Sequence, residues 1–525
     1  MLKKKPLLWR IFLLTASYFF YATWNFRFLF LIFAISLFNF YVAKKIQSKD
    51  SEKKRKILIS GAVAVNIFVL ALFKYFDFFR VSAELLLSKL GSQSNILLLN
   101  IILPIGLSFY ILRAISYLVD VFRRKIKAEE SLLDFSIYIA FFPQLLSGPI
   151  MRASEFLPQL KDGGVKKLEN MHEYFALILG GLFKKIVIAS FLTTSIVNDV
   201  LAVPQNHSQL SVVLALYAYA IVIYCDFSGY SDIAVGISGL MGFKSPRNFN
   251  SPYSSLNFSD FWKRWHITFS SWLKDYVYIP LGGNRKGKLR KYINLSITML
   301  VSGLWHGTGL NFIFWGISHG IGLIYGHMKL RGLTVYSEVH CELPAVSPRP
   351  ELGVKASPLS AERQTFQPRS TVAERNPPKQ KIGIQPRPYD SGFLRRRIKE
   401  GAGEEIIKKG RKFRFLNNFL SWFSTLNSIC LLWLFFAVGS LEDVLAVLRQ
   451  LFNWRAGSEP IGIYTILVII FSFLIFGFED NIRKLFVLVQ NKIPFAFQIL
   501  SISVFIIILM KLGPDIIPPF IYFKF

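Results

Sequence analysis

Apolar runs of membrane-spanning length, separated by short polar or basic loops, set the pattern of this chain. They extend over Leu7 to Phe20, Phe28 to Ala43, Ile57 to Phe79, Ile96 to Phe122, Phe175 to Leu192 and Leu210 to Tyr224. Others cover Tyr292 to Ile324, Phe415 to Val438, Ile461 to Phe478 and Phe495 to Leu512. A spanning helix needs about 20 mostly apolar residues, so each run is a candidate span. With the shorter pieces Phe135 to Ile150 and Ser231 to Phe243, the pattern predicts about eleven membrane-embedded helices, some of them re-entrant. The fold class expected is an all-α polytopic membrane protein.

Composition agrees with that pattern. Of 525 residues, 52% are hydrophobic and only 18% charged, and the mean hydropathy is +0.40, which excludes a soluble domain. The formal net charge of +30 does not signal nucleic acid, because the basic residues fall in the loops. Lys3 to Lys5, Lys44 to Lys56 and Arg123 to Lys127 come to one side when the first four spans are threaded, and that side is expected to be cytoplasmic. No small-x-small cleavage site follows the basic N-terminus, so the first run reads as a retained span. Cys225, Cys341 and Cys430 are far apart and form neither a disulfide framework nor a metal motif.

Three blocks follow along the chain. Residues 1–328 form a membrane core, and 413–525 add further transmembrane helices. Between them, 329–412 is polar, with Ser347-Pro348-Arg349-Pro350, Asn376-Pro377-Pro378-Lys379 and Arg395-Arg396-Arg397. That composition buries too little apolar surface to offset ordering, so a disordered cytoplasmic insert is expected. It either touches anionic headgroups or is a passive loop. No internal repeat is evident, which argues against a transporter built of two inverted halves.

Candidate chemistry crowds into the second half of the first block. His306, in Ser302-Gly303-Leu304-Trp305-His306-Gly307, interrupts an apolar run. An ionisable group at bilayer depth is a functional-site candidate, and a neutral imidazole exchanges a proton near pH 7. The alternative is a packing histidine satisfied by a nearby carbonyl. Asp226-Phe227-Ser228-Gly229-Tyr230-Ser231-Asp232 places carboxylates, hydroxyls and a glycine directly after a span. It reads as a broken helix lining a polar cavity, or as an interfacial turn. From Asp260 to Tyr276, the residues Phe261, Trp265, Thr268, Phe269, Trp272 and Tyr276 share one helical face. An amphipathic interfacial helix is expected, with His266 beside the aromatic stripe on the side of Trp262. Gly282-Gly283-Asn284-Arg285 either ends that helix or offers amides and a guanidinium to a phosphate-bearing donor; it is not a P-loop. His319, thirteen positions after His306, falls on another face and reads as a packing group.

These pieces resemble the membrane-bound O-acyltransferases, in the bacterial branch that acts in alginate O-acetylation and teichoic-acid D-alanylation. The matching blocks are Leu103 to Tyr110, Phe141 to Pro149, Asp226 to Asp232, Phe261 to Tyr276, Ile279 to Arg285 and Ser302 to Gly307, in the family's order. Leu432 to Phe436 followed by Ser440-Leu441-Glu442-Asp443 looks like the tail of alginate-type members and favours acetyl transfer. Ile111-Leu112-Arg113-Ala114 and the insert depart from the family pattern.

The resemblance implies a ring of tilted or re-entrant helices around a central tunnel in the bacterial inner or plasma membrane. It implies an acyl thioester donor on the cytoplasmic side, acetyl-CoA or an acyl carrier protein, with no tightly bound cofactor. The acceptor side would hold an extracytoplasmic polysaccharide or a partner acyltransferase. His306 and His266 match the family's catalytic and second functional histidines. Trp305, Asp226, Ser228, Asp232, Asn284, Arg285, Trp262 and Trp265 become candidate substrate contacts. His306 acts either as general base or as a transient acyl carrier, and His266 or Asn294 are candidates for oxyanion stabilisation. D-alanyl transfer, or non-enzymatic transport of donor or glycan, are the alternative readings.

Overall fold

The computed structural model describes residues 5–90, 102–163, 171–340, 402–453, 461–514 and 517–521. Every regular element among them is helical. The N-terminal half comprises α1 (Pro6–Asn25), α2 (Phe28–Ser48), α3 (Glu52–Lys89), α4 (Leu107–Phe122), α5 (Leu132–Ala140), α6 (Phe142–Leu145) and α7 (Ala153–Lys161). A long interrupted helix then runs through α8 (Met171–Leu182), π-helical turns at Phe183–Ala189 and Thr193–Val197, α9 (Ser190–Leu192) and α10 (Asn198–Ala202). There follow α11 (Gln209–Leu240), α12 (Phe258–Arg264), α13 (Ile267–Leu273), α14 (Gly287–His306) and α15 (Leu310–His340). The last set is α16 (Ala402–Leu432), α17 (Leu434–Ala437), α18 (Leu441–Phe452), α19 (Ile463–Phe476), α20 (Glu479–Lys492) and α21 (Phe495–Leu512).

Six stretches among the described residues are long and apolar enough to cross a bilayer: Phe28–Ser48, Glu52–Phe76, Met171–Ala202, Gln209–Leu240, Phe415–Ala437 and Phe495–Leu512. Counting the α19–α20 pair, bent by 78°, makes seven. Large apolar side chains point outward from them, with Phe30 75%, Tyr464 75% and Met510 76% exposed. Such a surface is stable only against lipid tails. The chain is therefore an all-helical polytopic membrane protein.

Helix starts follow the local sequence. Ser51, Ser131, Ser208, Asn257 and Ser440 each stand just before a helix and accept a hydrogen bond from an amide in its first turn. Two of the basic stretches, Lys44 to Lys56 and Arg123 to Lys127, meet at one end of the bundle, while Lys3 and Lys4 lie outside the described residues. Lys44 donates to the Glu130 carbonyl, Arg55 to Phe122, and Arg123 to Asp275. These contacts join the end of α2 to the loop before α5, the start of α3 to the end of α4, and the residue after α4 to the π-helical turn Lys274–Tyr278.

By contacts, Met1–Lys329 with Phe419–Phe525 forms one compact unit and Leu330–Asn418 another. Most of the polar insert, from 341 to 401, lies outside the described residues, as do Cys341 and Arg395 to Arg397. Its flanks are helical, since α15 continues to His340 and α16 begins at Ala402.

Two sequence expectations need correction. Asp226 to Asp232 does not break a helix: α11 passes through it as 32 continuous residues. The carboxylates are satisfied from outside the helix, Asp226 by Lys185 at 2.5 Å and Asp232 by Lys184 at 2.8 Å, so the backbone needs no irregularity there. Conversely, Asp260 to Tyr276 is not one helix. His266 adopts left-handed backbone angles, φ 43 and ψ 53, and separates α12 from α13. The aromatic face does not lie in lipid either: Phe261, Trp265, Phe269 and Trp272 are buried in protein.

Candidate active site

His306 is the last residue of α14 and turns into the described core, 3% exposed. Behind it α14 and α15 pack backbone to backbone. A Cβ on Gly303 would stand 2.2 Å from the Phe312 carbonyl oxygen, and one on Gly316 would stand 2.5 Å from that of Met299. Only glycine admits that approach. The imidazole is walled by aromatic rings: Trp305 at 4.8 Å between centroids, Trp315 at 5.1 Å, Phe436 at 5.0 Å and Phe269 at 5.8 Å.

The end of α14 leaves carbonyls without helical partners, and α3 supplies donors for them. Lys74 Nζ donates to the carbonyls of Trp305 at 2.5 Å and His306 at 2.9 Å, while the Tyr75 hydroxyl donates to that of Leu304. Adjacent residues of one helix thus cap three consecutive carbonyls of another. This fixes the backbone that carries the histidine.

Two cavities approach the ring. A small one of about 80 Å³ is lined by His306 itself, with Trp305, Lys74, Leu103 to Phe109, Leu146 and Ser147. A larger one of about 440 Å³ begins at Gly307 and Phe436 and is lined by Lys185, Ser190, Asn198, Asp226, Asn311 and the segment Pro518, Pro519 and Ile521. Phe436 faces the imidazole edge-on, so one aromatic ring lies between His306 and the larger space. In this wall Asp226 also accepts the Ile521 amide at 2.6 Å, and Lys185 donates to the Pro518 carbonyl at 2.9 Å.

His266 is fully buried and lines neither cavity. Its ring meets Phe227 at 4.6 Å and stacks with Phe269 at 5.0 Å, and Phe269 stacks on Trp305 at 4.2 Å. Neither ring nitrogen has a hydrogen-bond partner among the described residues. His266 therefore reaches His306 through a stack of rings.

The other candidates scatter. Trp305 and Asp226 line the two cavities; Ser228 is buried within α11, and Asp232 is held by Lys184. Trp262 donates to His319 Nδ1 at 3.3 Å, and Trp265 packs on Trp433 at 4.7 Å, so both act in packing. Asn284 and Arg285 are exposed before the start of α14, roughly 30 Å along that helix from His306. They are not contacts of the reacting centre. Asn294 is also away from it, roughly 18 Å along the helix, and donates to the Gly283 carbonyl at 2.9 Å, fixing the Gly-Gly turn.

Lys74, Ser147 and Lys185 did not stand out in the sequence. Lys74 and Lys185 had a signal, each being a cation inside an apolar run, the property that singled out His306. Ser147 had none.

Comparison with known proteins bears on this site. The profile of the membrane-bound O-acyltransferase family matches residues 11–335. A probable alginate O-acetylase of Pseudomonas putida is 40% identical over 313 residues, covering 59% of this chain and 64% of that protein. A peptidoglycan O-acetyltransferase of Helicobacter pylori is 40% identical over 347 residues, covering 61% of this chain and 64% of the other. A teichoic acid D-alanyltransferase of Bacillus subtilis is 30% identical over 236 residues, 42% of this chain and 58% of its own length. The alignments thus span somewhat less than two thirds of these relatives. The profile match contains α14 and both histidines, and with it the chain belongs to the membrane-bound O-acyltransferase family.

Proposed function

We propose that the chain is a membrane O-acetyltransferase that moves an acetyl group from a cytoplasmic thioester to a hydroxyl of an extracytoplasmic envelope polysaccharide. The observation that carries this reading is the position of His306, lining one cavity and one ring away from a second. A base held between two spaces can meet two substrates. His306 removes the hydroxyl proton as the oxygen attacks the thioester carbonyl, then returns that proton to the leaving thiolate. The names of the alginate and peptidoglycan relatives support acetyl transfer to a glycan.

Sidedness comes from charge. The basic stretches Lys44 to Lys56 and Arg123 to Lys127 share one end of the bundle, and by the positive-inside rule that end would face the cytoplasm of a bacterial inner or plasma membrane. Acetyl-CoA or an acyl carrier protein would deliver the donor there. The acceptor, or a partner acyltransferase that relays the group, would approach from the opposite end. His266 serves as a positioning residue, holding Phe269 against Trp305.

The test is transfer of labelled acetyl from acetyl-CoA to envelope glycan in membranes containing the full chain. His306→Ala is expected to abolish labelling; undiminished labelling overturns the reading. D-alanyl transfer, suggested by the name of the Bacillus relative, predicts activity with a D-alanyl thioester and none with the acetyl donor.

A further inference from the structure

The small cavity beside His306 has a chemical character that a general base alone does not require. Its floor is the start of α4, a helix of 16 residues preceded by Gly106 at φ 79. The Ser108 amide in that first turn has no acceptor among the described residues. The α4 N-terminus therefore brings partial positive charge and a free donor to the cavity. Lys74 lines the same cavity; its amino group donates to the carbonyls of Trp305 and His306, and as an ammonium it has a third donor. No carboxylate pairs with it among the described residues.

Ser147 supplies the independent observation. The residue lines the same cavity and is 1% exposed, and its hydroxyl oxygen has no hydrogen-bond partner among the described residues. A buried hydroxyl without a partner is uncommon unless something else uses it. Lys74, Ser108 and Ser147 all line this one cavity of about 80 Å³.

We propose that this cavity is the oxyanion site of the acyl transfer, with Lys74, the Ser108 amide and Ser147 as donors to the thioester carbonyl oxygen; the proposal rests on the reading of His306 as base. The acceptor oxygen bonds to the carbonyl carbon while its proton passes to His306. The C=O electron pair moves onto oxygen, where the three donors meet it. Collapse restores the carbonyl, breaks the C–S bond, and expels a thiolate that takes the proton from His306. Donors fixed before the charge develops stabilise the transition state without reorganising.

The experiment measures steady-state labelling of envelope glycan from acetyl-CoA in membranes containing the full chain, together with the thermal midpoint of each variant in detergent. Lys74→Met is expected to lower kcat on the order of a hundredfold or more. Ser147→Ala is expected to lower it roughly tenfold, with KM for acetyl-CoA unchanged, because the donor acts only in the transition state. Ser147→Ala removes a hydroxyl that holds no described protein group, so its midpoint should not fall, and it decides the matter if Lys74→Met does not fold. Wild-type kcat in Ser147→Ala, with His306→Ala inactive, overturns the oxyanion site and leaves the base in place. Full activity of His306→Ala overturns the underlying reading instead.

Discussion

The ammonium of Lys185 stands 2.5 Å from a carboxylate oxygen of Asp226 in the wall of the large cavity. This pair ties the π-helical turn after α8 to α11, and through the Ile521 amide it also anchors the segment that follows α21. Asp226 is thus a structural part of the cavity wall.

Removing one member strands the other. Asp226→Leu is expected to cost roughly 2 kcal/mol or more in stability, short of the roughly 3–5 kcal/mol of a fully enclosed pair because Lys185 is partly exposed. The double variant Lys185→Met/Asp226→Leu should recover most of the loss. Thermal unfolding in detergent measures both; equal losses in single and double variants would refute the pairing argument.

Gly106→Ala should be poorly tolerated for two separate reasons. The residue holds φ 79, and a Cβ there would stand 2.5 Å from the Leu145 carbonyl oxygen. The left-handed conformation alone costs a non-glycine residue about 1–2 kcal/mol, and the clash displaces the loop carrying Ser147. Yield of folded protein and acetyl transfer should both drop; a normally folded and active Gly106→Ala contradicts the geometry.

His266 separates a role in shape from a role in chemistry. Its backbone sits at φ 43, a conformation that asparagine accepts more readily than alanine. His266→Asn should therefore be more stable than His266→Ala by about 1 kcal/mol. Both should retain measurable transfer, whereas His306→Ala should not. Complete inactivity of a folded His266→Asn would make this imidazole a participant in the reaction.

Arg113 breaks the family pattern in sequence, and its surroundings give a reason. The buried guanidinium donates to the Tyr138 carbonyl at 3.1 Å and to Gln144 Oε1 at 2.7 Å, with the Pro149 carbonyl at 3.4 Å. It ties α4 to the turn that bears Ser147. A lysine is a point donor and lacks that spread, so Arg113→Lys should lose about 2–3 kcal/mol and reduce transfer. Wild-type stability in Arg113→Lys would exclude this role.

Hydropathy made the spans legible. The apolar runs at 28–43, 210–224 and 495–512 each fall within a helix of the fold, and a polar residue in an apolar run led directly to His306. The same criterion applied to Lys74 and Lys185 would have found both cations. Partnership was not legible. Asp226 to Asp232 looked like a helix break because the lysines that satisfy it lie some forty residues earlier in the chain. The turn at His266 was hidden because the aromatic spacing on either side fits a single helix. Asn284 and Arg285 stand just before α14 and His306 ends it, so the length of that helix sets them far apart.

The glycine contact between α14 and α15 constrains what this scaffold tolerates. With Gly303 and Gly316 set against the neighbouring main chain, the two helices have no compressible layer of side chains between them. A bulkier residue at either position must lever the hairpin apart, and the imidazole at its tip moves with it. The position of the histidine within the protein is thereby written into two residues that carry no side chain at all.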